Sequence, residues 1–123
     1  MPNFTYTIHD ELVDRLAGAK AGVLTAAPLP DGTGVFEPNV ADGYARQDFV
    51  FTTTQAQGVT TISNAQPLVF GPAINEWLAV TYFGLFDGVN GDLLLYGRLR
   101  STRVAHAGDS LSFQVDAINI GLR

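Results

Sequence analysis

Apolar positions along this chain recur mostly at the two-residue period of a β-strand, with one helical exception near the start. Ile8, Leu12 and Leu16 recur at a spacing of four, with Val13 beside them. That spacing puts one apolar face on a helix of about two to three turns. Thr7 reads as its cap, Asp10 falls near its positive end, and Gly18 reads as its stop. A helix this short is marginal alone and has to pack on a sheet or on a neighbouring subunit.

Residues 21–27 read as a first strand. Residues 28–38, PLPDGTGVFEP, hold three prolines and two glycines and read as a loop, because proline cannot donate to a sheet ladder. Residues 44–51 alternate most clearly, with Ala45, Gln47, Phe49 and Phe51 on one face and Tyr44, Arg46, Asp48 and Val50 on the other. Residues 52–58, TTTQAQG, are polar and read as a turn. Residues 59–63 and 68–70 read as short strands, and Gly71-Pro72 breaks the chain again. Residues 110–115 and 117–122 alternate to the end.

The richest stretch is WLAVTYFGLFDGVNGDLLLYGRL, residues 77–99. It reads as a β-hairpin with strands over 78–86 and 93–99 around a Gly-, Asp- and Asn-rich turn. Both strands are apolar at nearly every position, so both faces need a cover. The short helix, the long loop or another subunit could supply it. Leaving such a face in water would expose a large apolar patch, and self-association is expected on that ground. Together these segments predict an all-β fold: a single β-sandwich or jelly-roll-like domain of about seven or eight antiparallel strands, with one short N-terminal helix. The expected division is an N-terminal arm and helix over residues 1–20 and the sandwich over 21–123.

Composition narrows the function more than the fold. The chain has 123 residues, net charge −5 and no cysteine. Disulfides and zinc–thiolate sites are therefore excluded. Lys20 is the only lysine, and Arg98, Arg100 and Arg103 form the only local basic cluster, with Asp92 and Asp109 on either side in sequence. This balance speaks against a nucleic-acid partner, and the cluster reads as a solvated strand end. The N-terminus has no basic and long apolar leader pattern, and no apolar run approaches the ~20 residues of a membrane helix. A soluble chain made in the host cytoplasm, with no membrane partner, is expected.

No catalytic constellation emerges. His9 falls in the first helical turn and His106 in a loop; both read as exposed or surface-packing, and no GxSxG elbow accompanies them. Asp42, Asp48, Asp87 and Asp92 lie mostly at turns, where aspartate bonds its own backbone. Residues 87–92, DGVNGD, lack the EF-hand spacing, and Asn90-Gly91 is a strong hairpin dipeptide. Trp77, Tyr82 and Tyr96 read as core aromatics, with Trp77 semi-exposed and a sugar platform as the alternative. No catalytic, cofactor or metal residue is assigned.

Residues 43–46 (GYAR), Trp77, 82–87 (YFGLFD), 94–97 (LLYG) and 107–113 (AGDSLSF) together resemble a group of small virion proteins of tailed bacteriophages, tail-fibre-like or virion-associated. In that group the runs read GYAR, FGIFDA, LLFYG and AGDTFSF. The resemblance covers about residues 20–122, with Leu85 in place of Ile and Gly88 in place of Ala. It implies a fold and a virion location, and no chemistry. The expected role is a non-enzymatic capsid decoration (cement) protein, working as a symmetric oligomer, a homotrimer, against the major capsid protein or other virion proteins. This compact chain shows no shaft repeats or coiled-coil heptads. The alternatives are a tail fibre or baseplate component, and a carbohydrate-binding module for host attachment.

Overall fold

The computed structural model describes residues 5–122; residues 1–4 of the expected arm, and Arg123, lie outside them. The helix α1 (Tyr6–Arg15) is followed by β1 (Lys20–Leu24), β2 (Gln47–Asp48), β3 (Phe51–Ala56), β4 (Val59–Asn64), β5 (Leu68–Phe70), β6 (Val80–Phe86), β7 (Leu93–Arg103), β8 (Leu111–Phe113) and β9 (Asn119–Leu122). The strands form three antiparallel sheets: β2-β1-β6-β7, β3-β4-β9 and β5-β8. One core draws on all three. It joins Val23 and Leu85 of the first sheet, Ile62 of the second, and Leu68, Phe70, Leu111 and Phe113 of the third. The expected all-β, sandwich-like fold with one short helix is what the chain adopts.

Several local expectations are corrected. The helix starts two residues earlier, capped by Thr5, whose side chain accepts from the Ile8 amide. Its inward stripe is buried His9 and Leu16 with half-buried Val13; Ile8 and Leu12 stay exposed. The two stripes share Val13 and Leu16, and what decides between them is a partner for the imidazole. His9 is fully buried, contrary to the exposed reading, with Nδ1 2.7 Å from Thr60 Oγ1 on β4. Burying a polar ring is tolerated when it is hydrogen-bonded. Tyr6 Oη accepts from Gly58 N, and Asp10 accepts from Gln55 Nε2, so the helix lies against the β3–β4 hairpin.

Residues 44–51 do not form the long alternating strand. Only Gln47–Asp48 pairs with β1, and the chain then crosses to another sheet at Phe51. Tyr44 and Phe49, expected on opposite faces, are both buried. Residues 52–58, expected as a turn, are mostly β3. Its three threonines favour strand by β-branching, and an outer strand exposed along its length needs no apolar alternation. The turn is only Gln57-Gly58, both at positive φ, as a two-residue hairpin requires. The first strand is shorter than expected, because Thr25 N turns to bond Phe36 O at 2.8 Å.

The central hairpin stands, with β7 running four residues further than expected, to Arg103. Its turn is a longer loop than Asn-Gly alone would make: Asp87 accepts from the Val89 and Asn90 amides, and Asn90 Oδ1 accepts from Asp92 N at 2.9 Å. Those amide donors hold the Asp87 carboxyl below the usual carboxylate range, with a lesser contribution from Arg15 at 3.7 Å. Its side chain is committed to the turn.

Candidate functional site

The residues that carried the family resemblance assemble the scaffold. Tyr44 Oη donates to Glu37 and accepts from Val23 N at 3.1 Å, on the side of β1 that β2 is too short to pair. Arg46 grips the same carboxylate with two nitrogens, Nη2 at 2.7 Å and Nε at 3.1 Å. Its guanidinium lies 3.6 Å above the centroid of the fully buried Phe86 ring. A bidentate, charge-assisted pair of this kind fixes geometry as well as adding energy. Burial, and next the Glu37 acceptor, push the Tyr44 phenol far above its ordinary pKa.

This cluster answers the question of the second apolar face. A Cβ on Gly22 of β1 would sit 2.6 Å from Tyr44 Oη, 2.8 Å from the Phe86 ring and 3.1 Å from Glu37. The long loop and the residues just after it, not the helix, cover that face of β1 and β6. The helix covers the second sheet instead.

Trp77 is also scaffold. It is buried rather than semi-exposed, edge-on to Tyr44, with Nε1 donating to Asp42 O at 2.9 Å. Asp42 O accepts from Ile74 N as well, and the Asp42 carboxylate accepts from Asn75 Nδ2. Gly43 sits between these loops at φ 95°, where a Cβ would strike Pro72 O. The aromatic platform weighed for sugars is therefore not built on Trp77. Tyr82 and Tyr96 do face each other across β6 and β7, with ring centroids 6.4 Å apart.

The histidines are far from equivalent. His106 is exposed beside Glu76, while Nε2 of buried His9 has no partner among the described residues. Of the four aspartates weighed as catalytic pairs, the Asp42 and Asp87 carboxylates bond within loops and Asp48 pairs with Lys20, while Asp92 sits in the hairpin turn, where its amide donates to Asn90 Oδ1.

A cleft of about 400 Å³ beside β7 has no structural task of its own. Its walls are Arg98, Arg100, Ser101 and Arg103 on one side and residues 116–119 on the other, over Phe83 and Phe113. A bulge builds it. Tyr82 pairs with Arg98 and Val80 with Arg103, so four residues of β7, 99–102, stand opposite Thr81 alone. Bulges of this kind re-aim side chains at sheet edges and beside functional sites. Arg103 is held in place, with Nη2 donating to Ser112 O at 2.9 Å and its guanidinium 4.9 Å from the Phe113 centroid. Asn119 is held too, donating to Asp116 O and accepting from Ser63.

Charge pairing singles out the same place. Among the described residues, Arg15, Lys20 and Arg46 each pair with a carboxylate, and Arg98, Arg100 and Arg103 have none within 4.0 Å. The arginine cluster was legible in the sequence. The bulge that turns it into a cleft wall was not, since it depends on the register between β6 and β7.

Residues 15–121 match the family model described as podophage GP4 fiber I protein gp80, which takes in most of the chain and nearly all of the stretch expected from the resemblance. No curated protein matches it. The chain belongs to that fiber protein family and is a structural protein of a phage virion.

Proposed function

We propose that this member of the gp80 family is a non-enzymatic building block of a virion fibre, attached to the particle with other virion proteins. The family match over residues 15–121 carries the reading. The fold supports it: the motif residues that mark the family are spent on loop anchoring and core packing, as in Tyr44, Arg46 and Trp77. The expected shell-decorating role rested on the lack of shaft repeats, and a fibre assembled from several chains needs none in this one. Counting this chain per particle by quantitative mass spectrometry separates the two roles. A fibre component is present in a small number of copies, whereas a decoration protein is present in hundreds.

We also propose that the chain self-associates within that fibre. Val40, Ile74 and Leu78 are each at least 66% exposed, and they lie on two loops joined by the Ile74 N to Asp42 O bond. Clustered apolar groups in water mark interaction surfaces. Light scattering of the purified chain should give a mass above the 13.2 kDa monomer, falling in the double variant Ile74→Ser/Leu78→Ser. A monomeric wild-type chain would contradict this assignment.

A further inference from the structure

We propose that the β7 cleft binds an acidic saccharide, through a carboxylate or phosphate group on the sugar. Such binding is separate from the fibre role and does not depend on where the protein sits on the particle.

Four observations converge. The three described cations without a carboxylate partner all line this one cleft. Guanidinium groups present planar forks of donors that match carboxylate and phosphate oxygens. Arg103 is pre-positioned by Ser112 O and by the Phe113 ring, so little of its freedom remains to be lost on binding. The cleft is concave and about 400 Å³ in volume, within the usual size range of small-ligand sites.

The lining chooses the class of ligand. Phe83, Phe113 and Ile118 give an apolar floor for the C–H face of a pyranose ring, while Ser101 and Asn119 bring hydroxyl and amide groups to the wall. Asp116 also lines the cleft, so the cationic excess there is modest, and a ligand with up to three negative charges matches it better than a long polyanion. A long nucleic acid is a poorer fit, because it needs a continuous basic track and the chain as a whole carries a net charge of −5.

Calorimetric titration of the intact chain tests this with four probes: trigalacturonate, glucose 1-phosphate, the neutral galactose trimer and a short oligothymidylate. The expected result is binding of one or both acidic sugars, weakened by added salt, with the neutral trimer much weaker. Trigalacturonate alone points to a uronate as the source of the anion, and glucose 1-phosphate alone to a sugar phosphate. The double variant Arg98→Gln/Arg100→Gln, at two exposed positions, should lose about tenfold or more in affinity at an unchanged melting temperature. Arg98→Lys/Arg100→Lys should recover part of it. If the glutamine variant does not fold, Ser101→Trp fills the cleft from an exposed position and should abolish binding in its place. The proposal is overturned if neither acidic sugar binds at millimolar concentration, if the neutral trimer binds equally well, or if only the oligothymidylate binds. It is equally overturned if the folded variants bind like the wild type, or if their one effect is to change the mass seen in light scattering.

Discussion

Tyr44 shows most directly how single side chains shape this protein. Its hydroxyl takes the place of a missing strand at Val23 N and holds the Glu37 carboxylate, which in turn holds Arg46 over Phe86. Tyr44→Phe keeps the ring and removes both bonds. It is expected to cost about 1–3 kcal/mol, because a buried amide and a half-buried carboxylate each lose a partner; urea melts read the loss. The same phenol predicts a pH dependence. Burial and Glu37 raise its pKa in the folded chain above the ordinary value of 10.0. The folded state therefore holds the proton more tightly than the unfolded one. The contribution is fully present below about pH 10 and falls as pH rises beyond it. Wild-type stability should decline on that alkaline limb, and the decline should be shallower in Tyr44→Phe. Equal slopes would contradict the assignment. The sequence marked Tyr44 as a strand position and as part of the GYAR run but not as a loop anchor, since nothing local reveals that residues 21 places apart will meet.

At the scale of elements, the sequence was most legible where the apolar pattern alone decides. The central hairpin, β4 and β5 form close to where their patterns put them. It was least legible where a polar contact or a sheet edge decides. The helix has two overlapping stripes, and the buried one contains a histidine; only Thr60, 51 residues away, makes that stripe acceptable. The threonine-rich β3 lacks alternation because it lies at a sheet edge, which the sequence does not announce. Thr60→Val tests the helix account. It preserves shape while leaving His9 without its hydroxyl partner, and is expected to cost about 1–3 kcal/mol. Amide exchange should speed up across residues 6–15 more than across β6. Uniform acceleration, or none, would show that the helix is not held through that contact.

Across the whole molecule, of the three covers expected for the second apolar face, the helix, the long loop or another subunit, it is the loop that lies over β1 and β6. The long loop, fastened by Glu37 and followed by Tyr44 and Arg46, covers β1 and β6. Exposed apolar side chains remain elsewhere, Val40, Ile74 and Leu78 among them, while the arginines without a carboxylate partner among the described residues gather at the β7 edge. The family motifs mostly build the packed scaffold, and two of their residues, Phe83 and Phe113, also line the β7 cleft. The cleft was only half legible beforehand: residue type marked Arg98, Arg100 and Arg103, but the bulge opposite Thr81 depends on strand register.

The proposed fibre role sets where this chain should be found on the virion. Locating it on intact particles by cryo-electron microscopy, with antibody fragments raised against the folded chain, is the most direct test of that role. Label confined to fibres projecting from the particle is expected. Label spread evenly over the capsid shell would contradict the fibre role and restore the decoration role.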